Sequence, residues 1–303
     1  LQLFLEYYPH IRFHLEIHPA LLTEELKTML QELPKGLLHL EAGIQSLREG
    51  VLEKCLRLGK LSEALSGLQF LCSLENMETH ADLIAGLPLY RLEEIFEDIH
   101  TLAEYRAGEI QLESLKLLPG TEMRQKAEEM NIRYSPLPPY EVLQTNEITT
   151  GELQVARRLS RLLDAFYNTP AWQSLTRELI LKEEGFLHHF LDYLTEANLI
   201  DNPMSLEKRG LVLYLYIKEH HPAYLTQASI AWIEAGMSLK KQPAERVKTK
   251  HQVPPEHWEV IQGHYHEKLK LCFLPTDTDS QHGYWFGFET ETQRITPIFK
   301  AKS

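Results

Sequence analysis

Apolar and polar residues alternate in four short stretches of the first half of this chain, and between those stretches apolar residues recur at helical spacing. Phe13, Leu15 and Ile17 interleave with His14, Glu16 and His18, so Arg12 to Ile17 reads as a strand that Pro19 stops. Leu37 to Ala42, Glu78 to Ile84 and Ile110 to Leu115 read as three more strands. The segments between them fit helices. Thr23 is the N-cap of one that runs to about Leu33, with Glu24 and Glu25 at the positive end of its dipole. Val51 to Leu58, Ser62 to Cys72 and Leu92 to Tyr105 are the others, and Leu1 to Tyr8 reads as a helix end. Strands separated by helices imply parallel βαβ units.

The pattern changes after Tyr134 to Tyr140, a Pro-rich connector. Gly151 to Tyr167, Ser174 to Leu199 and Ser205 to His220 have helical spacing, and Phe186, Phe190, Tyr193 and Leu194 fall on one core-facing stripe. The adjacent pairs His188/His189 and His220/His221 diverge by about 100° on a helix, which suits surface or local packing better than a metal pair. Leu269, Leu271 and Phe273, then Tyr284, Phe286 and Phe288, then Ile295 to Phe299 read as an antiparallel meander with turns at Asp-Thr-Asp-Ser and Gln-Thr. The expected fold is α/β. Residues 1–148 form part of an incomplete (β/α) barrel with parallel strands, and residues 149–303 form a mainly helical domain with a small antiparallel sheet at about 265–300.

Strand parity puts residues two apart on one face. His14, Glu16 and His18 share a face, as do His39, Glu41, Gly43 and Gln45, then Glu78, His80, Asp82 and Ile84, then Gln111 and Glu113. A packed barrel carries branched apolar residues inside, so polar residues on every strand imply a lumen that receives a polar ligand. The alternative is a sheet whose polar face is open to solvent.

Composition narrows the partners. A net charge of −12 argues against nucleic acid, whose phosphates need a basic surface. No apolar run approaches the ~20 residues of a membrane span, and no signal-peptide pattern opens the chain. Three scattered cysteines make no disulfide framework and point to a reducing cytoplasm.

Three motifs at strand ends carry a resemblance: His-Leu-Glu-Ala-Gly-Ile-Gln-Ser at His39 to Ser46, Ala-Asp-Leu-Ile-Ala-Gly-Leu-Pro at Ala81 to Pro88, and Leu-Lys-Leu-Leu-Pro-Gly-Thr-Glu-Met at Leu115 to Met123. With Phe-His-Leu-Glu-Ile-His-Pro at Phe13 to Pro19 before them, they resemble the C-terminal half of a radical SAM barrel. The nearest group is the radical SAM proteins with an upstream B12-binding domain, related to the anaerobic magnesium-protoporphyrin IX monomethyl ester cyclases. The resemblance is strongest over residues 1–148 and extends into a C-terminal domain of unknown function.

It implies S-adenosylmethionine (SAM) as cofactor, with a [4Fe–4S] cluster, and leaves cobalamin open as a further one. On it, Gln45 and Asp82 match the positions that bind the ribose hydroxyls, Arg57 the SAM carboxylate and Glu16 the ammonium group. Ile84 packs on adenine, Gly86 lets the backbone approach, and Leu118 to Thr121 passes nearby. The family's Cys-x3-Cys-x2-Cys motif is absent, since Cys55, Cys72 and Cys272 lie too far apart. The chain therefore reads as the SAM-positioning part of an enzyme whose cluster-bearing half-barrel and B12-binding domain lie upstream, and as inactive alone. The small-molecule substrate and the catalytic residues are not readable. Two other readings stay open: a degenerate barrel that binds a partner, and a metal-dependent hydrolase using His14, Glu16, His18, His39, Glu41, His80 and Asp82.

Overall fold

The computed structural model describes residues 11–57, 59–239, 248–249, 253–264, 269–276, 282–289 and 296–302. Its first elements are β1 (Phe13–Ile17), α1 (Glu24–Glu32), β2 (Leu38–Gln45), α2 (Glu49–Lys54), α3 (Leu61–Cys72), β3 (Glu78–Ala85), α4 (Leu92–Glu104) and β4 (Glu109–Ser114). The four strands form one parallel sheet in sequential order, so the βαβ reading holds. Thr23 caps α1 as its type demands, its hydroxyl accepting from Leu26 N–H at 3.2 Å. Helix α3 packs backbone to backbone on the turn after β1: a Cβ on Gly67 would lie 2.1 Å from the Pro19 carbonyl oxygen, so only glycine fits.

One sheet face is apolar and sealed. Leu38, Leu40, Ala42, Ala81, Leu83, Ala85, Ile110 and Leu112 are buried, together with Leu68 and Leu71 of α3 and Ile95, Ile99 and Leu102 of α4. The other face carries the polar set. β4 is closed at its outer edge, where the Asn168 side chain accepts from Ile110 N–H and donates to its carbonyl. That asparagine follows a π-helical turn, Leu163–Tyr167, at the end of the helix Thr150–Leu162. β1 is mostly exposed, Leu15 included.

The chain continues through α5 (Glu122–Gln125), the β5 (Arg133–Tyr134) and β6 (Val142–Gln144) pair, α6 (Thr150–Leu162), α7 (Pro170–Lys182), α8 (Phe186–Glu196), α9 (Leu206–His220) and α10 (Leu225–Glu234). It then forms β7 (Lys248–Thr249), α11 (Trp258–Ile261), β8 (Leu269–Pro275), β9 (Gly283–Glu289) and β10 (Phe299–Lys302). It divides into two compact units, residues 1–168 with 177–201, and residues 169–176 with 202–303. In the second unit β10, β9, β8 and β7 make an antiparallel sheet with a core on each face. Ile233, Cys272, Leu274, Phe286 and Phe288 form one core, and Ile261, Leu271, Phe273 and Trp285 the other.

The structure corrects several boundaries. Ser174 to Leu199 is two helices, because the chain breaks at Gly185, whose φ of +70° lies in the left-handed region. The helix beginning near Val51 ends at Lys54, since Leu56 adopts φ 54°. The last strand is Phe299–Lys302, later than the Ile295 to Phe299 reading. Helix α10 was not anticipated. The helix at Leu1 to Tyr8, the end of another at Leu58, Ile295 and the Asp-Thr-Asp-Ser and Gln-Thr turns fall wholly or partly outside the described residues. Among the described residues no helix is long and apolar enough to cross a membrane.

Candidate functional site

Parallel register lines up the polar face in rows. His14, His39 and Glu78 are neighbours across β1 to β3; in the next row come Glu16, Glu41, His80 and Glu109. Beyond them Gly43 lies beside Asp82 and Asp82 beside Gln111, and after that Ile84 beside Glu113.

Gly43 leaves a gap in its row, and neighbouring side chains reach into it. A Cβ there would lie 2.9 Å from Gln45 Nε2, 3.0 Å from Arg57 Nη2 and 3.6 Å from Glu16 Oε1. The Arg57 guanidinium donates to the Gly43 carbonyl at 2.6 Å. The fold thus brings Glu16, Gln45, Arg57 and Asp82 to one place. Ile84 sits a row nearer the strand ends and is half-buried. Gly86 turns the chain at φ +92°, and a Cβ there would touch Val142 and Leu153.

This place is short of hydrogen-bond partners. Gln45 Oε1, Arg57 Nε and Asp82 Oδ1 are buried with none, although buried polar groups are paired as a rule. Gln45 also adopts φ 71° where the β2–β3 register shifts, a conformation that costs a non-glycine residue of order 1–3 kcal/mol. What holds it is a buried network just downstream. Asp98, fully buried on α4, accepts from Tyr90 OH at 2.5 Å, from Leu47 N–H at 2.8 Å and from the Ser46 hydroxyl at 3.4 Å, and it pairs with Arg48 at 2.7 Å. Sequence reasoning missed this network. Its signal was a carboxylate at 98 on the stripe otherwise formed by Ile95, Ile99 and Leu102.

The electrostatics are those of an acidic pocket. Burial pushes the Asp82 carboxyl up to about 8, assisted by its hydrogen bond with Glu41 and by the charges of Glu41, Glu16 and Glu113. Burial lowers the Arg57 guanidinium, and the Glu16 charge opposes this. Nearer the strand starts the polar groups satisfy one another. His14 bonds Glu41 at 3.0 Å, His39 Nδ1 bonds Glu78 at 3.2 Å, and the Nε2 atoms of His39 and His80 stand 2.5 Å apart. His80 also meets Gln111 at 2.8 Å and Glu109 at 3.0 Å. Burial and the neighbouring His39 and His14 bring His80 down to about 4, so it is neutral at pH 7.

Metal chemistry finds little support. Among the described residues no group of three or more His, Cys, Asp or Glu side chains is arranged to hold a metal ion. The three cysteines are unbridged, and burial pushes the Cys55 and Cys72 thiols up to about 11 and about 12, away from the thiolate a cluster needs. A cavity of about 670 Å³ lies apart from the polar face, between Phe96 and His100 of α4 and the turn joining α7 to α8.

A profile for a protein of unknown function, DUF4080, matches residues 128–268, less than half of the chain. No curated protein matches. Among solved structures, the chain is similar to TsrM from Kitasatospora setae, a radical S-adenosylmethionine methyltransferase. With tryptophan and the SAM analogue aza-SAM bound, the match has 15% identity and a TM-score of 0.35 and covers 45% of this chain and 28% of TsrM. With cobalamin and a [4Fe–4S] cluster bound, it has 16% identity and a TM-score of 0.35, over 49% of this chain and 32% of TsrM. A third likeness is to the archaeal Methanocaldococcus infernus Elp3 with an N-terminal deletion, at 13% identity and a TM-score of 0.40, covering 95% of this chain and 61% of that one. The chain thus spans about a third or less of TsrM and three fifths of Elp3.

Proposed function

We propose that the polar sheet face binds S-adenosylmethionine and that the chain is the SAM-positioning part of a radical SAM enzyme acting on a small molecule. The observation that carries this reading is the set of buried, partnerless atoms on Gln45, Arg57 and Asp82 around the Gly43 gap. They fit the ligand's chemistry. A guanidinium suits the SAM carboxylate, Glu16 its ammonium group, Gln45 and Asp82 the ribose hydroxyls, and half-buried Ile84 with the Gly86 turn the adenine.

When bound beside an iron–sulfur cluster, SAM supplies the radical that starts the reaction. The chain's own cysteines do not fit such a cluster, so the reading assigns it, and a B12-binding domain, to an upstream part of the same protein. Cobalamin use and a cytoplasmic setting belong to the same reading; the unbridged cysteines support the latter.

Anaerobic titration of the intact, cluster-loaded protein with SAM tests it. Saturable binding that Gln45→Ala weakens about tenfold or more and His39→Ala leaves unchanged is the expected result. Equal affinities in wild type and Gln45→Ala would sink the assignment. The isolated chain should show no broad iron–sulfur absorption after anaerobic reconstitution, and reductive cleavage of SAM by it would refute the division of labour.

A further inference from the structure

The acids around the Gly43 gap exceed what a ribose and an ammonium group require. Glu16 from β1, Glu41 from β2 and Glu113 from β4 all bear on Asp82 of β3 there. The groups facing them are Arg57 after α2, His14 from β1, His39 from β2, His80 from β3 and Glu109 from β4. His80 is neutral, and Arg57 is the cation at the gap. Asp82 is only 9% exposed and its Oδ1 has no partner, while its side chain is hydrogen-bonded to Glu41. Two carboxyl groups make such a bond only when a proton lies between them. Glu41, its side chain 36% exposed, is in turn bonded to the exposed His14, so the pair meets solvent through Glu41 itself.

We propose that the Glu41–Asp82 carboxyl pair selects a cationic ligand by proton exchange: a ligand of net positive charge displaces the shared proton to solvent, whereas a neutral analogue does not. This rests on the SAM reading and deepens it. SAM, with a sulfonium, an ammonium and a carboxylate, carries net +1; S-adenosylhomocysteine, its neutral thioether counterpart, carries none. No covalent bond changes in this step. The proton leaves, both carboxylates become charged, and the ligand's cation balances one of them.

Because Asp82 holds its proton up to about pH 8, SAM affinity should rise up to about tenfold per pH unit between pH 6 and 7.5 and level off above 8. The experiment is calorimetric titration of the intact cluster-loaded protein at pH 7.0, with SAM and with S-adenosylhomocysteine. It is done in two buffers of different ionisation enthalpy, which reads the protons released. The expected result is release of close to one proton with SAM and almost none with the thioether. Asp82→Asn and, as an independent check on folding defects, Glu41→Gln should each abolish most of the release per mole of SAM bound, whatever their affinity.

Equal release with both ligands would overturn the proposal, because the ribose hydroxyls and not the charge would then drive it. Binding of SAM without release, or unchanged release in Asp82→Asn, would overturn it too. Failure of SAM to bind is a different result: it removes the SAM reading itself. A ¹³C carboxyl titration of the ligand-free chain gives a check that needs no ligand, and an Asp82 titrating near 4 contradicts the shared proton.

Discussion

The two halves of the polar sheet face are made of the same kinds of residue and are in opposite states. Toward the strand starts, His14, His39, His80, Glu41, Glu78, Glu109 and Gln111 pair among themselves. Further along the strands, Gln45 and Asp82, with Arg57 reaching in from beyond α2, keep buried atoms with no partner, and Gln45 holds a left-handed backbone. An unsatisfied buried group costs roughly 1–3 kcal/mol, so the second half is destabilised by its own arrangement unless something else completes it. The difference is one of satisfaction: histidines that the sequence offers as possible metal ligands form a hydrogen-bonded patch with their neighbours, and the atoms left over are those on which the proposed SAM site rests.

The largest expected effect strikes the support of the Gln45 turn. Asp98→Ala leaves the buried Tyr90 hydroxyl and the Leu47 N–H without their acceptor, while Arg48 keeps Glu97 and the Glu94 carbonyl. A buried donor left without an acceptor costs roughly 1–3 kcal/mol, and two such losses are to be read in urea unfolding. SAM binding should fall with it, because the segment after Gln45 loses its anchor. Stability within about 1 kcal/mol of wild type would show that the Gln45 conformation needs no such support.

Next comes the ligand-facing half. Arg57→Ala should weaken SAM binding by roughly 1.5–3 kcal/mol, the worth of a charge-assisted hydrogen bond, with little change in unfolding. The paired half should do the reverse. His39→Ala, which breaks its contacts with Glu78 and His80, should lower stability by about 1 kcal/mol and leave SAM affinity alone. The comparison fails if the two variants exchange phenotypes.

Much of this division was legible before any coordinates. Period-2 alternation predicts the strands and their polar face, and the resemblance to radical SAM motifs singles out Glu16, Gln45, Arg57 and Asp82, which the fold brings together around Gly43. What alternation cannot show is which polar neighbours find each other. Whether His39 meets His80 depends on register between strands some forty residues apart. The bend at Gln45 is set by Asp98, which lies more than fifty residues further along the chain and acts through the Ser46 to Arg48 segment. The break between α7 and α8 was hidden because Glu183 and Glu184 suit a helix and Phe186 and Phe190 keep its spacing, while the left-handed turn at Gly185 interrupts it.

The smallest effect gives the finest test, since the two halves respond to pH with opposite signs. His80 is held below its ordinary 6.5, at about 4, so its contribution is complete above pH 6.5 and is lost as pH falls toward 4. Asp82 is held above its ordinary 3.8, at about 8; its contribution is complete below 3.8 and is lost as pH rises toward 8. Between pH 4 and 6.5 the two oppose each other and partly cancel. From 6.5 to 8 His80 is neutral in both the folded and the unfolded chain, so the loss belongs to Asp82 alone. Over that window the ligand-free protein should lose on the order of 1 kcal/mol, allowing for solvent near the open sheet face. Asp82→Asn should flatten the profile there and, with the opposing contribution gone, steepen the loss of stability as pH falls from 6.5 to 4, while His80→Gln should leave this window as it was and expose the Asp82 decline from pH 4 upward. Thermal melts of the three proteins at half-unit pH steps give the comparison directly, and a wild-type profile that rises between pH 6.5 and 8 while Asp82→Asn rises with it would assign that charge to some other group.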